Sequence, residues 1–324
     1  MKKVKKNRNI ITPKSQLKLY GYEENFNLFL ELKKKMKLPN TILLSGAKGS
    51  GKATFAYHFI NYLLSINEEN KYSLSDFSIN PENKSYKAIL NNTHPNFTLI
   101  ENNDESENIK IDEVRNILKF LSKSTYTSDL KIVLIDDSEF LNKHSSNALL
   151  KSLEEVKSNT FFFIIHDSSH KILETIKSRS IEFKFFLQLS QKKIIFENIV
   201  DQYEEEFNLK TLDDSFYFET PGNLLRYMMI LLDNNIDALN DKLSCILNLT
   251  DNYKKNNNPF ILTFISLLIE IFYNELSKKK ANNLNYLLFN KLKLINEINN
   301  VKKFNLDSKS MFISLKEILI NEPK

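Results

Sequence analysis

Three of the chain's five glycines, Gly46, Gly49 and Gly51, fall within six residues of sequence, in the stretch TILLSGAKGSGKAT at 41–54. Glycine reaches positive φ without a steric penalty, so such a loop can turn successive backbone N–H groups toward one point. A helix is expected from Lys52 onward, and the N-terminus of a helix favours a bound anion. Gly46-Ala47-Lys48-Gly49-Ser50-Gly51-Lys52 fits G-x-x-x-x-G-K, with Lys52 placed to reach the β- and γ-phosphates of a nucleotide. The same pattern calls next for a Ser or Thr hydroxyl to hold Mg²⁺. Ala53 stands there instead, with Thr54 one residue on. The loop is equipped for phosphate and poorly equipped for the metal.

A second candidate group lies at the end of KIVLID, residues 131–136. A continuous apolar run of this length predicts a parallel strand buried on both faces. Asp136 and Asp137 then sit at its carboxyl end, where open α/β sheets place their ligands. In a phosphate-loop protein the first acid helps position Mg²⁺, usually through water. Many ATPases follow it with a glutamate that polarises the attacking water. Asp137 is one methylene shorter, so its carboxylate would fall short of that water. Two acids used only to form a turn are the alternative reading.

Arginine is scarce: of 45 basic residues only Arg8, Arg115, Arg179 and Arg226 are arginine. Abundant Lys, Asn and Ile suggest a composition in which lysine replaces arginine wherever a point charge suffices. The four that survive are candidates for positions needing a planar, bidentate guanidinium.

Positioning these groups requires a sheet, and the apolar pattern supplies one. Residues 42–44, 97–100, 131–136 and 160–166 predict strands, separated by helices at 23–36, 52–65, 109–122 and 145–155. A short helix from 172 leads to Lys177-Ser178-Arg179-Ser180. This alternation predicts a mostly parallel sheet with helices on both faces. His58, on the second helix, is expected to be partly exposed, and 66–92 a plain polar loop. From Leu189 the strand signal stops, and helical spacing recurs at 190–203, 224–232, 237–247, 261–276, 284–298 and 309–319.

The charge balance, 45 basic to 40 acidic residues, is mildly positive and does not by itself call for nucleic acid. The run Lys2, Lys3, Lys5, Lys6 and Arg8 is expected to be a solvated tail rather than a DNA-contacting arm. A single cysteine, Cys245, excludes a disulfide framework and any cysteine-based zinc site within one chain. No signal segment and no membrane span are expected, since the most apolar stretch, 260–273, is too short to cross a bilayer. A soluble cytoplasmic protein is the expectation.

Taken in order, GSGKATFAYHF, HPNF, IVLIDDSEFLN, SNALLKSLEE and ILETIKSRS resemble the AAA+ subunits of bacterial clamp loaders, above all the delta prime subunits of DNA polymerase III. Each piece is short; their order and spacing from about 20 to 226 carry the resemblance. It implies an α/β AAA+ P-loop domain at 1–187, a small helical lid at 188–235 and a helical collar at 236–324. It further implies ATP or ADP as ligand, with Gly46, Gly49, Ser50, Gly51, Lys52, Ala53 and Thr54 around it. In that family the arginine of a Ser-Arg-Cys motif enters a neighbouring subunit's ATP site, and here the motif is Ser178-Arg179-Ser180. The implied partners are motor subunits and delta in a heteropentamer that loads the sliding clamp onto primed DNA. Departures accumulate at one place: Ala53, Asp137, and Asn223 where a nucleotide-sensing arginine stands in relatives, with Arg226 one turn on. They point away from hydrolysis in cis. The four-cysteine zinc module of many relatives is absent, so no zinc is expected. A self-sufficient P-loop ATPase (a motor subunit or a helicase loader) and a DNA-binding module are the alternatives.

Overall fold

The apolar runs at 42–44 and 132–135 can be shielded from water on both sides only inside a sheet, and that is where they lie. In the computed structural model, residues 11–320 are described except 102–107, 124–129, 204–211, 213, 235, 237–240 and 280–282. The strands are β1 (Thr41–Gly46), β2 (Phe97–Ile100), β3 (Lys131–Ile135), β4 (Thr160–Asp167) and β5 (Ile181–Lys184). They pair in the order β2-β3-β4-β1-β5, and every pairing is parallel. β3 and β4 are buried throughout, as a sheet covered on both faces requires. The edge strand β5, missed by the apolar pattern, is short and mostly exposed, with Glu182 and Lys184 outward. Charged, short edges resist pairing with other chains, and the same charges hide the strand in the sequence.

Helices α1 (Glu23–Lys34), α2 (Lys52–Ser65), α3 (Lys84–Leu90), α4 (Ile111–Ser122), α5 (Lys143–Glu154), α6 (Glu174–Lys177) and α7 (Leu189–Val200) surround the sheet. The two coats differ in chemistry. On one side Val114 and Ile117 of α4, Leu149 and Leu153 of α5 and Ile176 pack on Leu43, Val133, Ile135, Phe162 and Ile164. On the other, aromatic rings interlock. Phe29 meets Phe183 at 4.6 Å between centroids, Phe55 meets Phe185 at 4.8 Å and Phe26 meets Phe59 at 5.3 Å, all edge to face. Such pairs add about 0.5–1.5 kcal/mol each beyond their area burial.

Three expectations need correction. His58 is fully buried, with Nδ1 3.0 Å from Tyr72 Oη and Nε2 3.0 Å from the Gln16 carbonyl oxygen. Burial drops its pKa to about 4. The segment 66–92 is not a plain loop: it contains α3, whose N-cap Asn83 accepts the Tyr86 N–H at 2.7 Å. Leu118, Leu121 and Leu150, which helical spacing within 109–122 and 145–155 predicts to face inward, are only half-buried.

Two compact units divide the chain within α7, Met1–Asn198 and Ile199–Lys324. In the second, α8 (Pro221–Asp233), α9 (Lys242–Asn256), α10 (Pro259–Lys279), α11 (Leu284–Phe304) and α12 (Ser308–Ile320) follow one another. Asn257, at φ 48°, closes α9. The helix that carries the apolar stretch 260–273 runs on through polar residues to Lys279, making α10 21 residues long, enough to cross a membrane by length and composition alone. Phe264, Ile265, Leu268 and Ile269 are nevertheless at most 1% exposed, and α10 packs against both α9 and α11 as a core helix does.

Candidate phosphate site

β1 delivers the chain into the loop and α2 receives it. Gly46 is required for space: a Cβ there would lie 2.4 Å from the Phe185 carbonyl oxygen of the neighbouring strand segment. Gly51 is required for conformation, at φ 96° immediately before α2. Tyr22 lies over Gly51, and its hydroxyl donates to the Ser50 carbonyl oxygen at 2.8 Å, tying the loop to the aromatic coat. The Ser50 hydroxyl is buried and makes no hydrogen bond.

Lys52 opens α2 and is 5% exposed. Its ammonium donates to the Gly46 and Ala47 carbonyl oxygens, both at 2.7 Å. Burial pulls its pKa down, opposed by Asp167, Asp136, Glu139 and Asp137. A loop turned by Gly49 and Gly51 at positive φ, an ammonium and an orphaned hydroxyl suit phosphate. The same first turn does not suit the metal. Ala53 carries no oxygen, and Thr54 is rotated about 100° further round the helix, away from the position that Ala53 holds.

The parallel register aligns the carboxyl ends of β1, β3 and β4, pairing Gly46 with Asp167 and Ile135 with Ile164. Asp136 follows β3; its Oδ1 accepts the Asp137 N–H at 2.9 Å. Burial, then the neighbouring Asp137 charge, raises its pKa to about 7. Asp137 adopts a left-handed conformation at φ 54° and lies 3.7 Å from the Lys48 ammonium. Glu139 and Asp167 join this group and had no role in the sequence reading. Glu139 sits in a 3₁₀ turn (Ser138–Phe140), and its Oε2 accepts the Asp167 N–H at 3.2 Å. Burial pushes the Asp167 carboxyl up, but hydrogen bonds from the Ser169 N–H and hydroxyl, with Lys52 and His170 nearby, leave it below its usual value. The one sequence signal for Asp167 was its place at the end of a second fully apolar run.

The remaining candidates lie elsewhere. Arg179 follows α6, and its partners come from α5 and α6 rather than from the loop. Its Nε donates to Glu154 Oε1 at 2.8 Å, Nη2 reaches the same oxygen, and Nη1 donates to the Thr175 carbonyl oxygen at 3.1 Å. Arg115 pairs with Asp112 at 2.8 Å on the surface of α4. In the second unit, Asn223 donates to Glu219 Oε1 at 3.2 Å, and the Arg226 guanidinium lies 4.0 Å from the centroid of the Phe260 ring. The run from Lys2 to Arg8 lies outside the described residues.

Residues 21–188, more than half of the chain, match the family described as DNA polymerase III, delta subunit. The chain belongs to that family. The matched span runs from the Gly21 turn past β5 and so contains the loop, the acids and Arg179. Among curated delta-family relatives, the DNA polymerase III subunit delta' of Pseudomonas aeruginosa is 31% identical over 140 residues, covering 43% of this chain and 41% of its own length. The subunit delta' of Escherichia coli K12 is 24% identical over 140 residues, covering 43% and 40%. A DNA polymerase III subunit gamma of Buchnera aphidicola from Schizaphis graminum is 34% identical over 145 residues, covering 42% and 39%. The chain thus spans about two-fifths of the length of these relatives. Among solved structures, a gamma subunit-related protein of Thermotoga maritima is similar over 90% of this chain and 97% of its own, at TM-score 0.45 and 18% identity. The RuvB branch migration motor of that organism is similar over 83% and 86%, at TM-score 0.42 and 18% identity. These two likenesses are distant, and the fold rests on the sheet order and the loop.

Proposed function

We propose that the chain acts as a delta-prime-type subunit of a bacterial clamp loader, contributing Arg179 to an ATP site on a neighbouring subunit. The first unit is then the AAA+ domain, and the second supplies lid and collar helices for assembly with motor subunits and delta. The heteropentamer opens the sliding clamp and loads it onto primed DNA in the cytoplasm.

The observation that carries this reading is a phosphate cradle followed by a helix with Ala53 at the position of the metal-binding hydroxyl. ATP or ADP would be held by the loop N–H groups, the Ser50 hydroxyl and Lys52, which would leave its loop carbonyls for phosphate. A bound nucleotide supplies a phosphoryl group. With Ala53 in place of a hydroxyl, this chain's residues hold it without completing the metal's coordination. Arg179, by contrast, is half-exposed and carries a planar fork suited to phosphate charge developing in trans.

Nucleotide titration of the isolated chain, with and without Mg²⁺, tests the reading. Binding that Mg²⁺ barely improves, with no turnover, is the expected result. The carboxylates gathered near Lys52, Glu139 included, favour a second reading: a self-sufficient ATPase. That reading requires Mg²⁺-dependent hydrolysis by the isolated chain, and such hydrolysis would displace the first.

A further inference from the structure

Tyr22 is 3% exposed and is held from several sides. Its carbonyl oxygen accepts the Phe26 N–H at 2.9 Å, at the head of α1. Its ring lies 4.7 Å from that of Phe185 and 6.4 Å from that of Phe55, centroid to centroid. Just before it, Gly21 turns at φ 84°, with its N–H on Glu23 Oε1 at 3.0 Å. A ring fixed in this way carries its hydroxyl to one place, and that place is the Ser50 carbonyl oxygen at 2.8 Å. Burial pushes the phenol above its ordinary pKa, so it stays protonated and donates.

What this bond controls is the plane of one peptide. In a trans peptide the C=O and the following N–H point in opposite directions. Holding the Ser50 carbonyl against Tyr22 therefore turns the Gly51 N–H away from the aromatic coat. Turning that plane over changes mainly ψ of Ser50 and φ of Gly51, the difference between two ordinary turn types. A side chain at 51 would resist one of the two orientations; glycine, here at φ 96°, accepts both. The loop's own backbone thus leaves the orientation undecided. For an anion the two are opposite: a phosphate oxygen is an acceptor, drawn to an N–H and repelled by a carbonyl. With its carbonyl withdrawn to Tyr22, Ser50 keeps its buried, unbonded hydroxyl as the group it can offer.

We infer that Tyr22 is a positioning residue for the phosphate loop, its hydroxyl selecting the Ser50–Gly51 peptide orientation that offers phosphate an N–H in place of a carbonyl. It acts through the loop backbone, from 28 residues upstream, where the glycine-and-lysine pattern of the loop does not reach. The inference rests on the reading that this loop holds ATP or ADP.

The test uses the full chain, free of nucleotide, titrated with ADP by calorimetry. Tyr22→Phe keeps the ring and its packing and removes only the hydroxyl, so folding should survive, which circular dichroism verifies. Its ADP affinity should fall about fivefold, the weight of one neutral hydrogen bond. Tyr62→Phe, at a second tyrosine of the same aromatic coat, should leave the affinity unchanged. Labelling glycine with ¹⁵N supplies a readout that a loss of stability alone would not move, because the chain has only five glycines and three lie in the loop. ADP should shift the loop glycine signals of the wild type. In Tyr22→Phe those signals should be displaced or doubled before any ADP is added, while the signal of Gly222, in α8, stays in place. Equal ADP affinity in wild type and Tyr22→Phe, or loop signals left in place by the substitution, would overturn the inference and leave the nucleotide reading standing. Absence of ADP binding by the wild type would overturn the nucleotide reading and the inference with it.

Discussion

Lys52 and Arg179 are both cations that a phosphate could recruit, and the fold treats them in opposite ways. Lys52 is sealed at the head of α2, donating to two carbonyls of its own loop among four acids. Arg179 sits between α6 and β5, half-exposed, clasped by one carboxylate that is itself half in water. Rigid backbone defines the first site. The second is defined by a side chain that can swing, because an exposed ion pair contributes only about 0.2–1 kcal/mol. A group built to act within its own chain belongs in the first kind of setting, and a group that must reach a neighbour belongs in the second.

The most severe way to break this contrast is at Gly46. A Gly46→Ala substitution drives a methyl into the Phe185 carbonyl oxygen, which is backbone and has little room to move. The first unit should lose about 3 kcal/mol or more, or fail to fold, as judged by thermal and urea denaturation. A wild-type melting curve would show that the loop is looser than its packing implies.

Asp136 offers an intermediate effect with a definite sign. Its folded pKa, about 7, lies above the ordinary carboxylate value, so the native state holds a proton that the unfolded chain has released. Stability from this group is therefore full below about pH 4 and is lost as pH rises toward 7. Asp136→Asn should raise the melting temperature by several degrees at pH 8 and change it little at pH 4. Melting curves at the two pH values decide it; equal shifts at both would mean that folding does not raise the pKa of Asp136.

Glu154→Gln should have the smallest effect. Removing the clasp leaves Arg179 its bonds to Thr175 and Ser178, so stability should change by less than about 1 kcal/mol in chemical denaturation. A loss comparable to that at Gly46 would place Arg179 among the structural cations with Lys52, and the contrast would fail.

The loop was legible in the sequence because glycine is so rare in this chain that three in six residues stand out. β3 was legible because strands buried on both faces leave no polar interruption. β5 was not, since an exposed edge strand carries the charges of a loop. His58 was misread as surface because its two hydrogen-bond partners, Gln16 and Tyr72, are brought to it by segments without periodicity. Glu139 and Asp167 reach the site through a 3₁₀ turn and a strand register, and neither leaves a spacing rule in the sequence.

The central claim is that Arg179 acts on a nucleotide held by another subunit, and steady-state ATP turnover by the reconstituted loader with Arg179→Ala tests it most directly. Turnover stimulated by clamp and primed DNA should fall tenfold or more, with the assembly still eluting intact in size-exclusion chromatography. Undiminished turnover by an intact assembly would contradict the account.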